Sequence, residues 1–389
     1  MEIVCDFEQC TGCGLCASNC PKGSISMSKR DCFGHLYPII KTETCIDCGL
    51  CQKNCPILNP MELKKPLVAY AAWSKDEEDY KSSTSGGAAS VISQYVIEHG
   101  GVIYGCAMLP DIEVKHIRVD STADIKKLKG SKYVQSNMED VYPQLKEDVK
   151  SGRMTLFIGS PCQAAAVKKM FKVQPDNLIL VDLICHGVPS QEILKKHIKR
   201  IVPYPHYDTV YLRDGNLNRV CLRVYVDGKE VYSRYHIPSP RRYDEWYLDT
   251  FLDGYTYRGS CYNCKFACQQ RVSDITIGDF WGLGKNIPAD YIPAHPHGCS
   301  VILPSTERGR KIVENQSSKM NIYERTVDEA AKGNTQLNRP MPLGRRRNCF
   351  RRLFPVIGSI AYYLVVIDKM IIWRIVPLRV LEFLKRKLR

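Results

Sequence analysis

Two cysteine runs of identical spacing constrain this chain more than any other feature. Cys10, Cys13, Cys16 and Cys20 precede Pro21, and Cys45, Cys48, Cys51 and Cys55 precede Pro56. Both read C-x2-C-x2-C-x3-C-P. Three thiols spaced by two residues let one tight loop present three ligands to a polynuclear centre, and Gly12, Gly14 and Gly49 let the backbone bend there. The chain has 19 cysteines, and packing eight of them into these two runs argues for metal ligation over disulfides.

The fourth cysteine of such a run serves the other centre. One predicted ligand set is therefore Cys10, Cys13, Cys16 and Cys55, and the other is Cys45, Cys48, Cys51 and Cys20. In every ligand position the segment resembles bacterial two-cluster ferredoxins, which implies two 4Fe-4S clusters. Zinc motifs, by contrast, pair cysteines two by two. Between the runs, alternation from Gly34 to Ile40 predicts a small extra hairpin, and Cys5 and Cys32 are expected to be ordinary buried thiols.

A chain of 389 residues with 44% hydrophobic content is long enough for two or three domains. Pro56, Pro60 and Pro66 punctuate the end of the cysteine region, so the first boundary is placed near Leu63. Beyond it, strand patterns at 67–73, 102–108, 155–158 and 177–183 alternate with helical patterns at 88–99, 139–150 and 163–171. Such a rhythm predicts a largely parallel or mixed sheet covered on both faces. From Asp208 to Tyr235 the signals turn antiparallel, with Asp227 and Gly228 at a tight turn, which predicts an inserted β-hairpin. The expected fold is an α+β ferredoxin-like two-cluster module (1–62), then an α/β domain with a mixed sheet and an inserted hairpin (63–340), then a basic tail (341–389).

The formal charge of +14 does not indicate a nucleic-acid partner, because the tail from Arg345 to Arg389 holds twelve Lys or Arg against Asp368 and Glu382. Ligated thiolates lower the charge of the body further. The N-terminus shows no basic region followed by an apolar run, so a cytoplasmic setting is expected.

Five short motifs follow in order: SSTSGG at 82–87, GSKYVQS at 130–136, GSPCQ at 159–163, CHGVP at 185–189 and DITIGD at 274–279. Together, over roughly residues 1–310, they resemble the beta subunit family of coenzyme F420 hydrogenase and dehydrogenase. That resemblance implies a flavin-binding α/β domain with an iron–sulfur cluster nearby, FAD as cofactor, and an external electron donor or acceptor. Cys162, Cys185, Cys261 and Cys264 stand where the family has cysteines, which implies a third 4Fe-4S cluster. By residue type alone Cys261 and Cys264 suit zinc equally, Cys162 could be a nucleophile at a helix start, and Cys268 is a spare thiol that could replace a ligand.

For the flavin the expected contacts are Ser85, Gly86 and Gly87 at a helix N-terminus, where N–H groups suit a pyrophosphate, together with Lys132, Tyr133, Gly159, Ser160 and Asp279. The Ser/Gly stretch alone reads equally as a surface loop. His186 could donate a proton or be structural, and Asp274 and Asp279 are not separable by role.

In the tail, the apolar stretch 353–367 is too short to span a membrane and is interrupted by Pro355 and Gly358. Charges at Asp368, Lys369, Arg374 and Arg379 with Tyr362, Tyr363 and Trp373 suit peripheral contact with an anionic inner membrane face, or a helix pair docked on the body. The expected activity is an iron–sulfur flavoprotein oxidoreductase that passes electrons from a ferredoxin-like carrier to a small organic substrate. The alternative is a non-catalytic subunit that feeds a partner enzyme or exchanges electrons with coenzyme F420. The ending Gly278 to Gly282 resembles the bacterial branch, often associated with envelope polysaccharide genes, which implies a sugar-linked substrate.

Overall fold

The computed structural model describes residues 2–236 and 245–375, with side chains in the last helix described to Ile367. Near the N-terminus, β1 (Ile25–Lys29) and β2 (Leu36–Ile40) pair antiparallel as the predicted hairpin. Ile25 joins Val4 and Cys51 in a small core of its own.

The body is built on β3 (Ala69–Ser74), β4 (Val102–Leu109), β5 (Glu113–Val119), β6 (Thr155–Gly159), β7 (Leu178–Leu183), β8 (Thr209–Asp214), β9 (Arg219–Val226), β10 (Lys229–Tyr235), β11 (Ile275–Asp279), β12 (Ser300–Pro304) and β13 (Met320–Arg325). Eight of these form one mixed sheet in the order β13-β3-β12-β11-β7-β6-β4-β5. At its centre β4, β6, β7 and β11 run parallel, and the outer strands pair antiparallel. Successive side chains of a strand face opposite ways, and here both ways are buried. Phe157, Leu178 and Leu180 pack on the helices Val141–Lys150 and Pro161–Lys169, while Leu156, Ile179 and Val181 pack on Ala88–Glu98. That is why β6 and β7 read as unbroken apolar runs.

Two differences from expectation have physical causes. β5 carries Lys115, His116 and Arg118, so its alternation is masked by polar residues that the fold half-buries or pairs. The inserted hairpin is a separate three-stranded antiparallel sheet, β10-β9-β8. Its β9–β10 turn does fall at Asp227 and Gly228, with φ 50° and 70°, the two positive values a type I′ turn needs.

The C-terminal helices Arg345–Ile357 and Ile360–Ile375 fold back on the body. Phe350, Ala361, Tyr362 and Val366 are fully buried in the core that β8, β9 and the helix Gln191–Ile201 share with Phe33. The described part of the tail therefore follows the docked reading. The expected membrane-facing residues Asp368, Lys369, Trp373, Arg374 and Arg379, and the basic end from Lys385 to Arg389, lie outside the described side chains. Among the described residues no helix is long and apolar enough to cross a membrane.

Since β3 is antiparallel to β12 and β12 to β11, the carboxyl ends of β3, β6, β7 and β11 lie on one edge of the sheet. In open α/β sheets ligands collect at that edge. The cysteine-rich N-terminal segment sits against it, with Gln135 Nε2 donating to the Thr11 carbonyl at 2.9 Å and Tyr142 Oη to the Cys13 carbonyl at 2.7 Å.

Candidate functional site

Gly14 (φ 79°) and Gly49 (φ 70°) take left-handed backbone that a side chain would strain, and each starts a one-turn helix, Leu15–Ser18 and Leu50–Lys53. These turns carry Cys16 and Cys51 inward. Cys10, Cys13, Cys16 and Cys55 lie within electrostatic reach of one another. Cys20, Cys45, Cys48 and Cys51 line a second hollow. Backbone N–H groups point at the sulfurs: Leu15 to Cys13, Ala17 to Cys16, Gln52 to Cys51, Ile57 and Leu58 to Cys55. Such donors stabilise thiolate sulfur on a cluster. Cys5 is not an ordinary buried thiol: it is half-buried and hydrogen-bonds with Cys10 and Cys55. Cys32 is exposed, because its side of the β1–β2 loop faces water.

A third thiol group forms at the sheet edge. Ser160 caps the helix Pro161–Lys169, its N–H and Oγ both donating to Gln163 Oε1, at 3.0 and 2.9 Å. Cys162 is thereby fixed at the mouth of that helix, 3.2 Å from Ser160 Oγ. Cys185 follows the end of β7, and the turn Gly259–Asn263 delivers Cys261 and Cys264. The four line one cavity of about 420 Å³, closed on its other side by Asp6, Glu8, Gln9, Thr11 and Ile57 of the N-terminal segment. Burial pushes Cys185 up to about 12 and Cys264 up to about 11, and raises Cys162 and Cys261 as well. Cys268 does not line the cavity; its Sγ turns to the carbonyls of Lys265 and Gln270, at 3.6 and 3.3 Å.

As a donor set, the three groups fit iron–sulfur clusters. The second and third groups each set four cysteines around a hollow, and the four cysteines of the first lie within electrostatic reach of one another. The first and third groups are neighbours. Cys162 adds to the charge repulsion felt by Cys13, and both act on Tyr142.

The expected flavin contacts divide. Ser85 receives a hydrogen bond from Ser300 Oγ at 3.4 Å, and Ser300 pairs in register with Asp279. Asp279 is held in a two-pronged salt bridge by Arg213, at 2.6 and 2.9 Å, and Tyr133 and His186 lie within electrostatic reach of that pair. Gly86 has no room for a side chain, since a Cβ would come within 2.1 Å of the Ala72 carbonyl. Gly87 starts the helix Ala88–Glu98, but the Asp79 carboxylate stands beside it, where a Cβ would come 3.2 Å from Oδ2. That carboxylate is paired with Lys129 at 2.6 Å and accepts from Ser90 Oγ at 2.6 Å.

Lys132 turns inward, its Nζ donating to the carbonyls of Leu128 and Lys129, both at 2.7 Å, and burial pulls it down to about 8. Gly159 is covered by Phe157 and His116, and Ser160 belongs to the thiol cavity. The two aspartates now separate: Asp274, at the opposite end of β11, is spent on the Leu180 N–H, Gln174, Thr306 and Arg308.

Residues 9–58 match the family model described as a 4Fe-4S dicluster domain, and residues 152–330 match the model for the C terminus of the coenzyme F420 hydrogenase/dehydrogenase beta subunit. Residues 152–330 thus carry the C-terminal region of the coenzyme F420 hydrogenase/dehydrogenase beta subunit, behind a dicluster domain. Among curated proteins there is no match. A solved structure of the F420-reducing [NiFe] hydrogenase complex from Methanosarcina barkeri, derivatised with xenon, contains a chain 18% identical to this one. That likeness covers 71% of this chain and 91% of that one, with a TM-score of 0.45. With a dicluster domain followed by this C-terminal region, the protein is an iron–sulfur electron-transfer protein related to the F420 hydrogenase beta subunit.

The dicluster match contains all eight cysteines of the duplicated runs, and the beta subunit match contains Cys162, Cys185, Cys261, Cys264 and Asp279. Sequence reasoning missed the arginines. Arg213, Arg258 and Arg271 are all buried near the edge, and no local motif separates them from the chain's other cations. Only their long-range partners give them meaning.

Proposed function

We propose that this protein is an iron–sulfur flavoprotein oxidoreductase that takes electrons from a ferredoxin-like carrier and delivers them to a small organic substrate. Cys10, Cys13, Cys16 and Cys55 would hold one 4Fe-4S cluster, Cys20, Cys45, Cys48 and Cys51 a second, and Cys162, Cys185, Cys261 and Cys264 a third. The observation that carries this reading is the shared wall: the third thiol group opens onto the N-terminal cysteine segment, with Cys162 close to Cys13. Clusters supply one-electron transfer, and a flavin supplies exchange between one- and two-electron chemistry.

The protein's own residues supply placement and electrostatics. Backbone N–H groups face the sulfurs, Tyr142 and Phe266 pack around the thiols, and Gln163 fixes the helix start that presents Cys162. Ser85, Tyr133, Arg213 and Asp279 form the stretch of the edge best suited to FAD, with Arg213 the cation nearest an anionic group placed there. His186 lines the thiol cavity near Asp279 and Arg213, and burial lowers it below the usual histidine range, so a neutral imidazole stands there to accept a proton. In this arrangement Lys132 braces its own loop, and Gly159 ends β6 beneath Phe157 and His116. Reducing the anaerobic protein with a ferredoxin and adding candidate substrates tests this assignment. Turnover by the protein alone, with FAD released on denaturation, is the expected result; a flavin-free preparation that reacts only after a partner protein is added favours the electron-delivery subunit instead.

Peripheral membrane contact is favoured by one observation. Ile360, Leu364 and Ile367 are 59, 49 and 51% exposed, and their spacing puts them on one helix face beside Val356 at the helix turn. Arg345, Arg346 and Arg352 supply cations nearby, the combination suited to an anionic lipid surface.

A further inference from the structure

Arg258 is 0% exposed, the largest side chain buried so completely among the described residues. It leaves the chain just before the turn that delivers Cys261 and Cys264 and enters the first cysteine loop. Its Nε donates to the Cys10 carbonyl at 2.6 Å, Nη2 to the Leu36 carbonyl at 2.7 Å and to Cys10 Sγ at 3.7 Å, and Nη1 to Gln135 Oε1 at 3.2 Å. The guanidinium carbon lies 3.9 Å from the centre of the Tyr37 ring. Gly12 is the residue that admits it: a Cβ there would sit 2.5 Å from Nη1.

A buried cation is costly unless charge of the opposite sign compensates it. Among the described residues no carboxylate stands within salt-bridge distance of Arg258, and Asp31, the nearby acid, is already 2.6 Å from His35. What the guanidinium does meet is sulfur, touching Cys10 and lying within electrostatic reach of Cys162. Among the described residues lining the second hollow the one cation is Lys22, exposed to water, where its field is screened.

We infer that Arg258 is a positioning residue that acts as fixed counter-cation to the first cysteine group, raising the reduction potential of a cluster held by Cys10, Cys13, Cys16 and Cys55 above that of a cluster held by Cys20, Cys45, Cys48 and Cys51. This rests on the cluster assignment proposed above. Reduction adds one electron, taken from an external one-electron donor, and so one negative charge; no bond forms or breaks. Potentials of such clusters follow local charge and hydrogen bonds to sulfur; Arg258 supplies both to the first group, its charge alone to Cys162 of the third, and neither to the cysteines of the second. Electrons are thereby drawn to the group that adjoins the cavity of the α/β body.

The test is a dithionite titration of the full chain followed by electron paramagnetic resonance, with iron counted in every sample. Arg258→Gln is expected to move the first cluster's midpoint negative by about 59 mV or more, a tenfold change for a one-electron couple, and to leave that of the second, held by Cys20, Cys45, Cys48 and Cys51, in place. Arg258→Lys, which keeps the charge, is expected to restore most of the shift. Gln135→Glu keeps the cation but sets a carboxylate against it, and is expected to shift the same cluster in the same direction; it decides the matter if Arg258→Gln loses iron. Unchanged midpoints in both variants with full iron, or iron loss in both, overturn the role of Arg258. A wild-type protein without cluster signals overturns the cluster assignment itself.

Discussion

Arg271 and Asp182 face each other at 2.7 Å, 2% and 0% exposed, beneath the edge where Cys185 emerges. Arg271 also donates to Thr276 Oγ1 and to the carbonyls of Phe266 and Cys268, so it braces the loop behind Cys264. Removing one partner of a buried pair strands the other charge. Arg271→Ala is therefore expected to cost about 3–5 kcal/mol, read from urea unfolding of the anaerobically purified protein. His116 gives the site a pH dependence. Its Nε2 faces the Ile158 carbonyl and so carries the proton, while Nδ1 accepts from Ser136. Burial lowers this histidine from 6.5 to about 4. A depressed folded-state value means that its stability contribution is complete above pH 6.5 and is lost as pH falls through about 4. Unfolding measured from pH 7 to 4 is expected to show this loss, and His116→Gln to flatten it. Among the thiols, Cys268→Ser is expected to leave iron content unchanged, since its sulfur faces carbonyls and not the cavity.

The two C-terminal helices behave as one element with two faces. Tyr362 is wholly buried, so Tyr362→Ala is expected to destabilise by about 3–5 kcal/mol, measured by the same unfolding. Changing Ile360, Leu364 and Ile367 together to Ser should alter stability far less, and is expected to abolish sedimentation with anionic vesicles. Undiminished sedimentation would remove the membrane reading. These helices also mark how far the sequence could be read. Where one physical rule acted locally, the elements were legible: the cysteine turns by spacing, β6 and β7 by their apolar runs, the β9–β10 turn by Asp227 and Gly228. Phe350 and Tyr362 looked like any residues of an amphipathic tail because what buries them, Phe33 for Phe350 and Tyr255 for both, lies far away in the chain. The site divides the same way. Its thiols were visible as a pattern, whereas Arg213, Arg258 and Arg271 acquire roles only through contacts set by the sheet, and Lys132, prominent in its motif, spends its ammonium on its own loop.

At the scale of the whole molecule, the fold brings a cysteine-rich segment against the carboxyl edge of a mixed sheet so that three thiol groups lie in sequence, the first and third sharing Cys13 and Cys162 as neighbours. Ligand thiols must shed protons to bind iron, and burial holds Cys185 and Cys264 protonated until about 12 and about 11. Reconstitution of the third group from apoprotein is accordingly expected to slow as pH falls, measured by the growth of visible absorption. The most direct measurement is an iron and sulfide count on anaerobically purified protein, wild type beside the double variant Cys185→Ser, Cys261→Ser. Three clusters predict about twelve irons per chain in the wild type and about eight in the variant. About eight irons in both, or zinc in place of iron, would contradict the account.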